Sequence, residues 1–239
     1  MISDSKISPH METPNRIRPV IASNLRSYIE LEIRNLILRG EFKPGERLVE
    51  SEIAEQMEIS RTPLREVFSA LEREGLVVNI PRRGNFVVDF TSDDIEEIYS
   101  LRLLLEVGAI KRGVSRLTQK DIDYMQSLLD QLGKIVLITG KDEQITELDL
   151  AFHEHICICA GHTRLLNTWR SMSMQTRMLI GVTSQTYFQS PESPKVIHQR
   201  ILDAIVRRDV GAAEEMLVEH FLDAQSRAQD GIQSLHSKK

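Results

Sequence analysis

SEIAEQMEISRTPLREVFSALEREGLVVNIPRRG, residues 51–84, reads as a short helix, a tight turn, a second helix and a β-hairpin with a basic tip. In the second helix Leu64, Val67, Phe68 and Leu71 recur at helical spacing and share the face that a core would cover. Arg61, Thr62, Arg65 and Ser69 share the opposite face. Guanidiniums suit phosphates and guanine edges, and hydroxyls suit phosphate oxygens, so this polar face has the chemistry of a major-groove reader. A lone amphipathic surface helix would show the same two faces. The turn before it and the Arg-Arg-Gly hairpin after it favour a DNA-binding winged helix-turn-helix.

Local signals outward from this stretch agree. Ser60 is a good N-cap for the second helix, and Pro63 falls in its first turn, where a missing N–H costs nothing. The positive end of that helix favours a phosphate beside Ser60, Arg61 and Thr62. Gly75 stops the helix. Val77-Val78 and Phe86-Val87-Val88 are β-rich, and Pro81-Arg82-Arg83-Gly84 turns between them, aiming Arg82 and Arg83 at the DNA backbone or minor groove. Upstream, Leu25, Ile29, Ile33, Leu36 and Ile37 mark a helix over about 23–39, capped by Ser23 or Asn24 and stopped by Gly40. Pro44-Gly45 forces a turn and Arg47-Leu48-Val49 reads as a short strand. Glu50 or Ser51 is expected to cap the next helix, with Ile53, Ala54 and Met57 inward. Residues 1–20, with Pro9, Pro14 and Pro19 and no sustained period, are expected to form a disordered arm, leaving 21–90 as the DNA-binding domain.

At 239 residues the chain can hold two domains with separate cores. No apolar run approaches a membrane span and no charged-then-apolar leader opens the sequence, so the expected location is cytoplasmic. Two cysteines, Cys157 and Cys159, lie too close together to staple a fold. Net charge is −5, and neither the first 90 residues nor the remainder is net basic. DNA binding must therefore rest on where the arginines sit, with the acids on other faces.

From Thr91 onward the pattern is helical throughout, with expected helices at about 92–116, 119–139, 142–160, 163–181, 193–208 and 210–230. The breaks are Thr118, Gly140, Gly161-His162, the 189–194 loop and Asp209-Val210-Gly211. Nothing alternates like a strand, so 91–239 reads as an antiparallel all-α bundle of about six helices. The fold class is mainly α, with a small β-hairpin wing.

Within the bundle, Asp149 and His153 lie one helical turn apart on one face. His198 and His220 each lie 11 residues from Asp209, on two successive helices that must run antiparallel. At about 1.5 Å rise per residue both stand about 16 Å from the turn, at equal height. An Asp/His pair from a third helix completes a candidate Asp149, His153, His198, His220 metal site. Its oxygen and nitrogen donors suit Zn, Ni, Mn or Fe(II). The competing reading is four ordinary, satisfied core residues. The run from His153 through His155, Cys157 and Cys159 tempts a zinc-cluster reading. On a helix, however, His153/Cys157 and His155/Cys159 point in different directions, so His155 and both cysteines are left out. His10 and His236 fall in expected tails.

Two resemblances follow from these residues. The segment RNLILRGEFKPGERLVESEIAEQMEISRTPLREVFSALEREGLVVNIPRRGNFVV, within roughly 25–88, is similar to the DNA-binding domain of GntR-family bacterial transcription regulators. Ser-Arg-Thr-Pro-Leu-Arg-Glu, Glu-Gly-Leu-Val and Arg-Arg-Gly fall in order. This implies that Ser60, Arg61, Thr62 and Arg65, with Gly84 at the wing tip, contact operator DNA. One departure is Glu58, which stands where the inter-helix turn usually has Gly; a left-handed backbone there costs about 1 kcal/mol. Residues 92–230 resemble the FCD ligand-binding domain of the FadR subfamily. The likeness runs through Arg102-Leu-Leu-Leu-Glu106, Asp149-x-x-Phe152-His153, His198 to Asp209, and Met216-x-x-x-His220. It implies six or seven antiparallel helices, a divalent metal on Asp149, His153, His198 and His220, and a small carboxylate effector beside it. His162 stands where many members have Asn.

Arg102, in a largely apolar neighbourhood, is a candidate partner for an effector carboxylate; the alternative is an intramolecular bridge to Glu106. The expected protein is a homodimeric, effector-controlled transcription regulator straddling a palindromic operator, and not an enzyme. The alternatives are a metal-dependent enzyme with an Asp/His₃ site and the same regulator with a metal-free effector pocket.

Overall fold

The structure, a computed structural model, describes residues 20–136, 142–183 and 193–237. The expected arm at 1–20 lies outside them up to residue 19, as do the break at Gly140 and most of the 189–194 loop. The first part is a winged helix-turn-helix. Helix α1 (Val20–Leu38) buries Ile29, Ile33 and Ile37 completely. Their spacing of four is the stripe that matters; Leu25 continues it one turn earlier but is exposed there. Gly40, at φ 71°, ends the helix.

Strand β1 (Arg47–Leu48) precedes α2 (Glu50–Gln56), which buries Ile53 and Ala54. The N-cap of α2 is Val49, one residue before the expected cap, and makes no side-chain cap bond. The turn into α3 (Arg61–Arg73) carries Glu58 at φ 53°, the left-handed conformation expected of a position that suits Gly. Helix α3 buries Leu64, Val67, Phe68 and Leu71, and these pack on α1 and α2. Strands β2 (Val77–Ile80) and β3 (Gly84–Val87) form the wing. β1 adds to it, giving an antiparallel sheet in the order β1-β3-β2 with Arg47 opposite Phe86 and Ile80 opposite Gly84. The third strand gives the hairpin support it would lack alone.

Among the described residues the second part is an all-α bundle of six helices: α4 (Ser92–Gly113), α5 (Gln119–Ile135), α6 (Asp142–Cys159), α7 (Thr163–Val182), α8 (Pro194–Val206) and α9 (Val210–His236). Thr91 and Thr118 each close a reciprocal capping box, with Asp94 and Asp121, at about 1 kcal/mol per cap. His162 caps α7, its ring accepting from the Leu165 N–H. Helix α9 is longer than the sequence suggests. It runs to His236, whose ring contacts Asp89 at 2.9 Å, so that residue is not in a tail. Helix α6 packs on α4, α5 and α7, and α9 packs on α4 and α8. That arrangement brings α4, α6, α8 and α9 around one centre. The parts meet where α1 ends on α7: a side chain at Gly181 would collide with the Leu38 carbonyl, so only Gly permits that approach. Among the described residues, no helix is long and apolar enough to cross a membrane.

Candidate metal centre and nucleic-acid interface

The polar face of α3 is open. Ser60, Arg61, Thr62, Arg65 and Ser69 are all exposed, while the apolar face beneath them is sealed. Ser60 occupies the N-cap without a side-chain cap bond. The Arg65 side chain, 72% exposed, rests against Glu50, with Nε 3.1 Å from Oε2. On the wing, Arg82 and Arg83 are exposed and Arg82 adopts φ 66°, forming with Gly84 (φ 102°) the tight tip. The Arg83 guanidinium lies 5.6 Å from the centre of the Phe86 ring, a cation–π contact that holds it on the wing. Arg47 is a basic residue that sequence reasoning missed; its guanidinium packs beside Gly84 through the β1–β3 pairing.

The second assembly lies inside the bundle. Asp149, His153, His198 and His220 are all buried, and their ligand atoms lie within 4.8 Å of one another. His153 Nε2 is 3.1 Å from His198 Nε2 and 3.2 Å from His220 Nε2, and His198 Nε2 is 3.0 Å from Asp149 Oδ1. The rings of His198 and His220 stand 4.7 Å apart, as the equal heights on α8 and α9 require. Outer contacts fix two of the rings: His153 Nδ1 faces Glu106 Oε2 at 2.5 Å, and His198 Nδ1 faces the Pro194 carbonyl at 2.6 Å. An imidazole that donates Nδ1–H outward directs its Nε2 lone pair inward, the usual orientation of a metal-ligating histidine.

Electrostatics favour a cation at that point. Burial opposes ionisation of Asp149, but the hydrogen bond and charge of His198 outweigh it and hold the carboxyl below its ordinary range. Burial, reinforced by the neighbouring imidazoles, pushes His220 well down; burial also lowers His153 despite Glu106. Burial pulls His198 down too, but Asp149 prevails and raises it. Asp149 Oδ2 and His220 Nδ1 are buried without a hydrogen-bond partner. A carboxylate, two imidazoles held neutral and orphaned polar atoms form a donor set able to coordinate a divalent metal.

Comparison with known proteins covers both parts of the chain. The family model described as FCD domain matches residues 97–223, and that of the bacterial regulatory proteins, gntR family, matches 25–87. The chain is a GntR-family regulator with an FCD domain. It is 26% identical over 209 residues to the gluconate operon transcriptional repressor of Bacillus subtilis (strain 168), covering 84% of each chain. It is also 26% identical over 190 residues to the HTH-type transcriptional regulator YdhC of the same organism, covering 80% of this chain and 84% of that one. In fold it resembles a GntR transcriptional regulator from Rhodococcus sp. RHA1, with a TM-score of 0.68 at 24% identity over 86% of this chain and 97% of that one. Family and fold are those of transcriptional regulators rather than enzymes, and the protein is a DNA-binding transcription regulator.

In the FCD domain the structure pairs Arg102 inwardly, the alternative to an effector contact. Its guanidinium lies 3.2 Å from Glu106 Oε1 and 4.7 Å from the centre of the Phe221 ring. Glu106, fully buried, also accepts from Trp169 Nε1 at 2.8 Å. Burial opposes its ionisation, but His153 and Arg102 outweigh burial and keep it anionic. Glu106 and Trp169 were absent from the sequence-derived site. Glu106 was visible there only as a helical neighbour of Arg102, and nothing local marked Trp169.

Proposed function

We propose that residues 21–90 read operator DNA while residues 91–239 sense a small carboxylate metabolite beside a divalent metal, in the manner of the FadR subfamily. The observation that carries this is the convergence of three Nε2 atoms and one carboxylate in the bundle of a chain that also presents an open Arg/Ser/Thr face on α3. Asp149, His153, His198 and His220 would hold the ion, Zn or Ni for preference, with Mn or Fe also compatible with the donors. Bound there, the ion would supply a Lewis acid for a carboxylate oxygen of the effector.

The protein groups do the remaining work. Glu106 and the Pro194 carbonyl orient His153 and His198. Arg102 meets the effector by exchanging its partner: an incoming carboxylate competes with Glu106, which keeps His153 and Trp169. That exchange shifts α4 against α6. The contact of α7 with the end of α1 then carries the change to the reading helix as a difference in affinity between two conformations. Ser60, Arg61, Thr62, Arg65 and Ser69 contact one groove, and Arg82, Arg83 and Gly84 the neighbouring backbone or minor groove. A homodimer would place two such units on a palindromic site, and Leu101 and Leu104, exposed one turn apart on α4, give that dimer a face. The arm at 1–20 has no assigned part.

Fluorescence anisotropy on promoter DNA tests the reading. Chelated and metal-reloaded protein are compared with and without a panel of small carboxylates. Operator affinity should respond to a carboxylate only in the reloaded protein, and His198→Ala should abolish both metal retention and the response. A carboxylate response that is unchanged by chelation would leave the regulator with a metal-free pocket.

A further inference from the structure

Outside the bundle centre, one further cluster of ligating side chains among the described residues is unused. His155 and Cys159 lie four residues apart on α6 and so share a face, the one turned away from His153. There they meet Asp121 at the start of α5. His155 Nε2 is 3.0 Å from Asp121 Oδ1, and the Cys159 sulfur stands beside them. The three ligand atoms lie within 4.8 Å of one another. Unlike the inner cluster, this one reaches solvent: the side chains of His155 and Asp121 are 14% and 25% exposed.

The groups are held in place. The Thr118 capping box uses Asp121 Oδ2, so Oδ1 is left for the cluster. The Tyr124 ring sits 4.6 Å from the His155 ring and fixes its tilt. Among the described residues, the only basic side chain paired with Asp121 is His155. Burial, and after it the charge of the Asp121 carboxylate, pushes the Cys159 thiol up to about 12. A cation between them would offset that charge.

We propose that Asp121, His155 and Cys159 form a second, solvent-accessible metal site for a thiophilic divalent cation of the zinc class. One sulfur, one nitrogen and one oxygen donor with a fourth position open to water match the preference of zinc for tetrahedral mixed sites. As the sulfur–metal bond forms, the thiol releases its proton to solvent, one per cation bound. The site ties the start of α5 to the half of α6 that follows Asp149 and His153. It does not depend on the inner centre being filled.

Cobalt(II) titration of the full chain under reducing conditions tests it, because a sulfur ligand gives a thiolate-to-cobalt charge-transfer band that nitrogen and oxygen donors do not. Wild-type protein should show the band, with an intensity that corresponds to one thiolate-bound cobalt per chain beyond any cobalt taken by the inner centre. His198→Ala and Cys157→Ala should retain it, Cys159→Ala should lose it, and His155→Gln should weaken cobalt binding at least tenfold. Circular dichroism checks that each variant is folded; His155→Gln, at the surface, guards against a collapse in the cysteine variants. Absence of the band in wild type, its survival in Cys159→Ala, or its loss in Cys157→Ala alone would overturn the proposal. Failure of the inner site reads differently: His198→Ala would then leave the cobalt absorption outside the thiolate band unchanged.

Discussion

Glu106 and His153, on adjacent helices 47 residues apart in sequence, meet at 2.5 Å between Oε2 and Nδ1, both fully buried. The carboxylate fixes the ring with its Nε2 turned towards His198 and His220, so a residue outside the candidate ligand set orients one member of it. Second-sphere carboxylates of this kind are worth about 10–100-fold in metal affinity. Glu106→Gln keeps the shape and removes the charge, so it should weaken metal binding by that factor in a competition titration. Unchanged affinity in a folded variant would restrict Glu106 to pairing Arg102 and Trp169.

Removing metal should also lower stability. At a free metal concentration 100 times Kd, binding only to the folded state adds about 2.7 kcal/mol, equivalent to about 5–10 °C in Tm for a chain of this size. Thermal melts with chelator and with restored zinc or nickel should differ by that margin in wild type. In His198→Ala the margin should vanish from the inner site. Equal melting temperatures in wild type would count directly against the centre.

The reach of sequence reasoning follows from what is local. The stripe Ile29, Ile33, Ile37 and the two faces of α3 are set by periodicity, and Asp149/His153 by a single helical turn. The level of His198 and His220 followed from chain distance to a shared turn, one of the few long-range facts a helical hairpin fixes. Glu106 was not legible in that role, because its partners His153 and Trp169 come from helices 47 and 63 residues away. The same holds for Asp121: the direction of His155 and Cys159 could be read from α6 alone, but their third companion belongs to α5. The extent of α9 was missed because Ala224, Ala228, Gly231 and Ile232 form its buried face, and small residues carry a weak amphipathic signal.

At the nucleic-acid face, Glu50 holds Arg65 in the DNA-free protein. Exposed pairs of this kind contribute about 0–1 kcal/mol, so a phosphate or base edge can displace Glu50 readily. Arg65→Ala should reduce operator affinity about tenfold or more at fixed salt. Glu50→Gln should tighten it by up to about fivefold, the reach of so weak a competitor. Anisotropy titrations at two salt concentrations measure both, and operator affinity indifferent to Arg65→Ala would remove α3 as the reading helix.

Glu58 offers a stability gain. Its φ of 53° lies in the left-handed region, where a side chain costs about 1 kcal/mol and Gly nothing. The side chain is exposed, so its removal sacrifices little packing. Glu58→Gly should stabilise the protein by somewhat less than 1 kcal/mol, because Gly also loosens the unfolded chain. Urea denaturation should show a higher midpoint at an unchanged slope. A lower midpoint would mean that the glutamate makes a contact outweighing the strain.

The Asp121 cap gives a pH dependence whose sign is fixed by its partners. The Thr118 hydroxyl, opposed by partial burial and aided by the Thr118 backbone N–H and by His155, holds this carboxyl below its ordinary value. A carboxyl whose pKa is lower in the folded than in the unfolded state stabilises fully above the unfolded value, about 3.9 for Asp. That contribution fades as pH falls through the lower folded value. The stability gap between wild type and Asp121→Asn should therefore persist from neutral pH to about 4 and close below it. Chelator keeps metal out of the measurement, and repeating it with His155→Gln in both proteins separates the cap from the imidazole. A gap that stayed constant down to pH 2 would show that the amide replaces the carboxylate only sterically. The charge of Asp121 would then have no part in holding the start of α5.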